Sequence, residues 1–247
     1  MKKVFPLASL FLLALPVLAH AQNINVDFGE EGTATGQIIR LVALITILSL
    51  APSILLMVTS FTRIIIVLSL LRSAIGIQQT PPNPVLISLA LFLTFFVMAP
   101  VFEKSYKDGI SPLIEEKIKE EEALNLAAAP FHSFMISQVR TNDLALFTGM
   151  AGNPTIESPE DTPYKILIPA FMISELKRAF EIGFLIFIPF LIIDMMVAST
   201  LMSMGMMMLP PVLISLPFKL IFFVMIDGWH MLSESLVKSF GVAIGGG

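Results

Sequence analysis

The sequence predicts an all-α, membrane-associated protein, a helical bundle built from kinked helical hairpins. Of its 247 residues, 55% are hydrophobic and only 14% are charged, whereas about a quarter of the residues of a soluble domain are charged. Several apolar stretches approach the length of about 20 residues that crosses a bilayer. Prolines interrupt most of these stretches, a pattern that favours broken helices packed against protein or a cavity.

The first 21 residues have the pattern of a secretory signal peptide. Lys2 and Lys3 precede a short apolar core, and Ala19-His20-Ala21 is an A-x-A cleavage site. An uncleaved first span is the alternative, but the core is too short for a span and a polar stretch follows it at once. We therefore expect cleavage between Ala21 and Gln22.

Residues 22–102 are expected to form N-terminal helical hairpin segments. Leu41 to Thr62 carries no charge and is long enough to span a bilayer, with a kink expected at Pro52. The proline-rich stretch 78–84 breaks the chain. Val85 to Phe102 is the second apolar segment.

Residues 103–165 have a different composition. Eleven acidic and six basic residues give this region a net charge of −5, which is typical of a solvated region outside the membrane. The spacing predicts a charged helix from Ile114 to Ala129 and a separate amphipathic helix around Phe131 to Val139. A loop is expected from Gly149 to Pro163. By the positive-inside rule, Arg63 and Arg72 suit an inner loop and this acidic region suits the outer, periplasmic side.

Residues 166–247 are expected to form a C-terminal helical hairpin. Its first helix should begin near Pro169, since proline suits the first turn, and continue to Ser203. Pro210-Pro211 forces a turn, and Val212 to Ile226 is the return segment. Counted with the earlier segments, the apolar stretches alone would give four spans.

Three isolated charges lie in this apolar hairpin: Glu175, Asp194 and Lys219. Charges in apolar segments are costly and usually pair with one another. A hairpin folded near Met206 or Met207 would bring Asp194 and Lys219 to the same height, so an ion pair could form within the hairpin or between neighbouring copies. Snorkelling to an interface is the alternative, but Asp is too short for it. Glu175 could join the same network.

Methionine occupies seven of the fourteen positions from 195 to 208. Generic apolar packing is one explanation, because Met fills irregular gaps. A Cu(I) thioether site of Met202, Met204 and Met206 is a second. A deformable apolar closure at the hairpin tip is the third, and the Pro-Pro turn favours it.

The sequence lacks the patterns of an enzyme. It contains no P-loop, no G-x-S-x-G elbow, no H-E-x-x-H motif and no cysteine. We expect no catalytic residue, no cofactor and no metal, and no basic patch indicates nucleic acid. An ion- or proton-coupled secondary transporter using Asp194 and Glu175 is the alternative to a passive conduit.

The motifs resemble the FliP family, the P subunit of the flagellar type III secretion export gate, over nearly all of the mature chain. The resemblance is carried by Ser60-Phe61-Thr62-Arg63-Ile64, Gln78-Gln79-Thr80-Pro81-Pro82-Asn83, Ser174-Glu175-Leu176, Pro189-Phe190-Leu191-Ile192-Ile193-Asp194, Met204-Gly205-Met206-Met207-Met208-Leu209-Pro210-Pro211 and Asp227-Gly228-Trp229.

The resemblance implies a pentamer that assembles with the Q and R subunits, beside other export-apparatus membrane proteins, into a conical channel in the bacterial inner membrane at the flagellar basal body. Unfolded flagellar proteins would pass through it. It implies that Met206, Met207 and Met208 close the pore. It also implies that Glu175, Asp194 and Lys219 bind neighbouring subunits.

The signal peptide gives the first testable prediction. N-terminal sequencing of protein extracted from membranes should begin at Gln22, because the A-x-A site ends at Ala21. Recovery of an intact Met1 start in the assembled protein would show instead that the first apolar stretch is retained.

Overall fold

A computed structural model describes residues 34–77, 79–152, 156, 158–206 and 209–241. Within these ranges the chain is helical and has no strand. The prediction of an all-α fold is therefore confirmed for the described residues. The expected signal peptide and its cleavage site lie outside them.

The α-helices of the described residues follow one another with short connections. They are α1 (Ala34–Met57), α2 (Phe61–Ile75), α3 (Asn83–Ser105), α4 (Ser111–Ile114), α5 (Glu120–Gln138), α6 (Thr141–Met150), α7 (Tyr164–Ser203), α8 (Pro211–Met225) and α9 (Gly228–Lys238). A π-helical turn, Tyr106–Ile110, joins α3 to α4, and a 3₁₀ turn, Pro159–Asp161, precedes α7.

The chain divides into two compact units, residues 1–49 and residues 50–247. In the first unit the structure describes only the beginning of α1. In the second unit, α2 packs along α7 as the most extensive helix contact, and α3, α5, α6 and α8 pack around this pair.

The core of this unit begins with α2 because its apolar residues recur at helical spacing. Ile64, Val67, Leu68 and Leu71 form one buried stripe, as expected of an amphipathic helix packed on a core. Gly183 of α7 lets the two helices approach closely, because a Cβ there would lie 2.2 Å from a terminal carbon of Leu70.

One helix replaces the two that the sequence predicts between residues 114 and 139. Ile114 ends α4, and Glu116 takes a left-handed conformation with φ of 56° before α5 begins at Glu120. α5 then continues through Pro130 to Gln138. The expected break near residue 130 is wrong, since packing against α3 and α7 holds the helix together across its missing hydrogen bond. Of the loop expected from Gly149 to Pro163, Gly149 and Met150 belong to α6, and Pro159–Asp161 forms the 3₁₀ turn before α7.

The prediction that α7 begins near Pro169 is also wrong. The helix begins at Tyr164, directly after Pro163, and both Pro169 and Pro189 lie inside it. Pro163 is the proline that marks the boundary, because its extended backbone (φ −61°, ψ 141°) precedes the first helical residue.

Two or three helices of the described residues could cross a membrane by their length and composition. Within the described residues, Asn83–Ile114 and Tyr164–Ser203 are long and apolar enough. α8 and α9 would make a third span if taken together, although they meet at an angle of 64°. In the first apolar segment, Leu41–Leu50 is a shorter apolar stretch of α1.

A π-helical turn lies where the first of these long helices reaches the charged region. π-Turns are rare and occur as single insertions within α-helices. Here Gly109 packs directly on α5, and a Cβ at this position would lie 2.6 Å from the backbone nitrogen of Ala127. The contact therefore fixes how α5 leaves the end of α3.

Replacing Gly109 tests this contact. Gly109→Ala should destabilise the protein by about 1–3 kcal/mol, because a backbone atom cannot yield as a flexible side chain does. Thermal unfolding of detergent-purified protein measures the loss. Gly149→Ala, at an exposed helical position, is the matched control and should be neutral or slightly stabilising. Equal stability of both variants would show that the close contact does not constrain the fold.

Candidate functional site

α7 and α8 form the hairpin that the sequence predicts, and an ion pair joins its two arms. Lys219 Nζ donates to Asp194 Oδ2 at 2.6 Å. The Lys219 side chain is 4% exposed and that of Asp194 is 33% exposed. Of the two arrangements that the sequence leaves open, the structure shows the pair within one chain.

Two further groups complete this Asp194 cluster, which comprises Asp194, Ser215, Lys219 and the Ala74 carbonyl. Ser215 Oγ donates to the second carboxylate oxygen, Asp194 Oδ1, at 2.5 Å. Lys219 Nζ also donates to the Ala74 carbonyl oxygen at 3.3 Å. Because that carbonyl lies at the C-terminal end of α2, where the helix dipole is negative, the ammonium is favoured there too. The cluster therefore ties the hairpin to α2.

The tip of the hairpin begins with a Schellman motif. Gly205 N–H donates to Met202 O at 3.0 Å, and Met206 N–H donates to Leu201 O at 3.0 Å. Gly205 has φ of 74°, a left-handed conformation that costs other residues about 1–2 kcal/mol. This motif satisfies the last carbonyls of α7 and turns the chain sharply.

Methionine side chains at the end of α7 and in the turn that follows it are exposed. Met202, Met204 and Met206 are 63%, 66% and 42% exposed, respectively. Met207 and Met208, the other two residues of the predicted gate, lie outside the described residues. Nine residues separate Asp194 from Ser203 at the end of α7, a rise of roughly 14 Å. The methionine tip therefore projects more than two helical turns beyond the ion pair.

A second polar cluster surrounds Arg63. Both oxygens of Glu175 accept from this guanidinium, one from Nη2 in a short contact and one from Nε at 2.9 Å. Neither side chain is exposed at all. This bidentate arrangement is the strongest geometry for an arginine and a carboxylate.

The remaining donors of Arg63 bind residues that come from distant parts of the chain. Nη1 donates to the Ser239 carbonyl at 3.0 Å and to Ser239 Oγ at 2.9 Å, and Nη2 donates to Gln138 Oε1 at 3.1 Å. The guanidinium carbon also lies 3.8 Å from the ring centre of Phe240, within cation–π range. All five N–H donors of Arg63 are thus used, which links α2, α5, α7 and the residues after α9.

The sequence predicts that Glu175 could share a network with Asp194 and Lys219, and the structure separates them. Glu175 and Asp194 are nineteen positions apart on one helix, a rise of roughly 28 Å. Glu175 belongs to the Arg63 cluster instead. The role of these three residues between subunits stays a prediction.

Arg63 is the residue of this site that the sequence reasoning missed. The sequence places Arg63 in the motif Ser60-Phe61-Thr62-Arg63-Ile64 and assigns it no role at a site. The available signal is its spacing, because Arg63 precedes Ile64 and Val67 on the buried stripe of α2, where a charge needs a partner.

The sequence model of the FliP family matches residues 44–236. The chain is 57% identical to the flagellar biosynthetic protein FliP of Caulobacter vibrioides over 241 residues, which cover 97% of this chain and 91% of that protein. It is 52% identical to the protein of the same name from Bacillus subtilis over 217 residues, or 88% and 98% of the two chains. The Agrobacterium fabrum protein of that name is 50% identical over 234 residues, which cover 93% of this chain and 96% of that one.

The Arg63 cluster predicts a clear asymmetry between single and double substitutions. Arg63→Met or Glu175→Met alone should destabilise the protein by about 3–5 kcal/mol, because each leaves an uncompensated buried charge. The double variant should recover much of this loss. Thermal unfolding of purified protein measures all three.

Lys177→Met provides the control for this cycle, since Lys177 lies two residues from Glu175 on the same helix with an exposed side chain. It should change stability little, because exposed ion pairs contribute less than about 1 kcal/mol. Additive losses in the Arg63 and Glu175 double variant would contradict a direct pair.

Proposed function

The chain belongs to the FliP family, and we propose that it is a core channel-forming subunit of the flagellar type III protein export gate, one that passes unfolded flagellar proteins across the bacterial inner membrane. Its relatives carry the name flagellar biosynthetic protein. Membership also confirms the prediction that the chain is not an enzyme.

The proposed assembly is a pentamer of this chain that joins the Q and R subunits and other membrane proteins of the export apparatus. Candidate membrane helices in the chain support a place in the inner membrane. Asp194 supports contact with a neighbouring subunit, because a third of its side chain stays exposed after it binds Lys219 and Ser215. Glu175 and Lys219 are nearly inaccessible, so they would act on a neighbour by positioning their helices.

The hairpin tip carries the proposal that this subunit also closes the channel. The tip lies between α7 and α8, which the Asp194–Lys219 ion pair holds together as a rigid stem. The Schellman motif caps the end of α7, and Pro210 precedes α8. Met206 follows the Schellman turn and is partly exposed, and Met207 and Met208 come next in sequence. Three unbranched thioether side chains per copy would exclude water, yet they would deform around a passing chain because Met makes few directional bonds.

A coupled transporter is less well supported by the same residues. Such a site needs carboxylates that can exchange an ion or a proton with a pathway. Glu175 is fully enclosed by Arg63, and both oxygens of Asp194 are engaged within the hairpin. These contacts favour structural roles for the two carboxylates.

Shortening the methionines tests the gate. In cells that express the complete export apparatus, a Met206→Ala, Met207→Ala, Met208→Ala variant should assemble and export while small ions leak across the membrane. Ion permeability measured against wild type gives the result.

A matched control removes three methionines from the helix of the same hairpin. Met195→Ala, Met196→Ala, Met202→Ala changes exposed positions of α7 before the turn and should leave permeability unchanged. Normal permeability in a correctly assembled tip variant would place the seal elsewhere. A leak that depends on copper would favour the metal site.

A further inference from the structure

Two arginines close to the Arg63 cluster lack a full set of partners. Arg140 Nη1 is buried and has no hydrogen-bond partner among the described residues. The nearest carboxylate oxygen, Asp143 Oδ2, is 3.9 Å away, which is too long for a hydrogen bond. Arg178 donates through Nη1 to Gln138 Oε1 at 3.2 Å, but that oxygen already accepts from Arg63.

These two arginines belong to one place in the fold. Arg140 N–H donates to Ser174 Oγ at 3.0 Å, and Ser174 lies one helical turn before Arg178 on α7. Arg178 and Gln138, which precedes Arg140 by two residues, are in direct contact. We call Arg140 and Arg178, with the backbone between Gln138 and Arg140, the arginine pocket.

Charge is not balanced in this part of the protein. Three guanidiniums, those of Arg63, Arg140 and Arg178, face two carboxylates, those of Asp143 and Glu175. Both oxygens of Glu175 accept from Arg63, and Asp143 Oδ2 accepts from Ser174 Oγ at 2.7 Å. Arg140 keeps a quarter of its side chain exposed, and Arg178 is partly exposed. The surplus of one positive charge therefore points to an anion from outside the chain, bound by the exposed parts of these two side chains.

The position of the arginine pocket favours an anion carried by protein over a lipid phosphate. Arg140 lies between α5 and α6, in the charged region that separates the two long candidate membrane helices. α7 has 40 residues, twice the number of about 20 that crosses the hydrocarbon layer. Its first part, which carries Arg178 and packs on α5 and α6, can therefore lie outside the bilayer.

The same chain presents a complementary surface at the other end of α5. Five glutamates and two lysines between residues 115 and 122 leave a net charge of −3. Among them Glu120, Glu121 and Glu122 are exposed in the first turn of α5 and form no ion pair with any described residue. We call these three residues the acidic turn.

We propose that the arginine pocket binds a carboxylate of the acidic turn of a second copy of this chain. The inference deepens the proposed function, since it rests on the assembly of several copies and names one contact between them. Eighteen residues separate Glu120 from Gln138, a rise of roughly 27 Å. The acidic turn and the arginine pocket therefore lie near opposite ends of one helix, which suits a head-to-tail contact that repeats around a ring.

Cross-linking tests the contact directly, because the chain contains no cysteine. Glu121→Cys in one copy and Thr141→Cys in another, co-expressed with the complete export apparatus, should give a covalent dimer with a short thiol-specific cross-linker. Thr141 is exposed and follows Arg140 in the chain. Met225→Cys, at an exposed position at the end of α8, replaces Thr141→Cys in the control and should not cross-link to Glu121→Cys.

Neutralising the arginines should then remove the cross-link. Arg140→Gln with Arg178→Gln should lower the cross-linked fraction roughly tenfold, since removing one side of a partly buried charge pair weakens association by at least that order. Lys177→Gln is the matched control, because Lys177 is adjacent to Arg178 but exposed beside its own Glu181. Thermal unfolding of each variant shows that the chain still folds.

Each outcome has a separate meaning. Loss of the cross-link in the arginine variant with retention in Lys177→Gln supports the contact. Undiminished cross-linking in the arginine variant, or no cross-link between copies that are shown to assemble, overturns it. Sensitivity of assembly to anionic lipid without a cross-link would assign the pocket to a lipid phosphate. A wild-type chain that does not associate with itself would instead contradict the proposed function.

Discussion

Enclosing the Arg63 guanidinium is the constraint on which the second unit depends. A charge with no solvent exposure is stable only if every donor finds an acceptor, and here the acceptors come from Gln138, Glu175 and Ser239. These residues lie up to 176 positions from Arg63 in the chain. No partial fold can satisfy the guanidinium. The ion pair therefore specifies one arrangement of the central helices. It adds little to the free energy of unfolding of that arrangement, since buried pairs contribute little net stability.

The two polar clusters attach different halves of α7 to the rest of the second unit. The Arg63 cluster holds the first half of the helix against α2, α5 and the residues after α9, whereas the Asp194 cluster holds the second half against α8 and the end of α2. Both clusters use α2, the first near its beginning and the second at its C-terminus. α2 therefore determines the orientation of the hairpin, because both clusters attach the hairpin to this helix. A displacement of α2 would be transmitted to the methionine tip through Lys219.

Features with a local cause could be predicted from the sequence, and features that depend on packing could not. The all-α class follows from composition. The Asp194–Lys219 pair follows because the two residues lie at similar distances in sequence from the turn between the two arms. The start of α7 was misplaced because Pro163 and Pro169 both carry a start signal, and only packing on α5 and α6 extends the helix to Tyr164. The continuity of α5 through Pro130 has the same origin. Arg63 was missed because its partners lie far away in sequence, and no periodicity identifies such partners.

The hairpin combines a stiff stem with a soft end, and the sequence shows why these properties are adjacent. Stiffness comes from Asp194, Ser215 and Lys219, whose directional contacts must lie where the two arms are in register. Softness requires side chains without directional contacts, which is what Met provides. Gly205 lies between the rigid part and the methionine tip. Its left-handed conformation ends α7 and allows the last carbonyls of that helix to accept hydrogen bonds. A tip that began nearer the ion pair would share its rigidity, whereas one placed further away would lose its fixed position. In the proposed gate, the distance of roughly 14 Å between them would let the methionines deform while the stem keeps its attachment to α2.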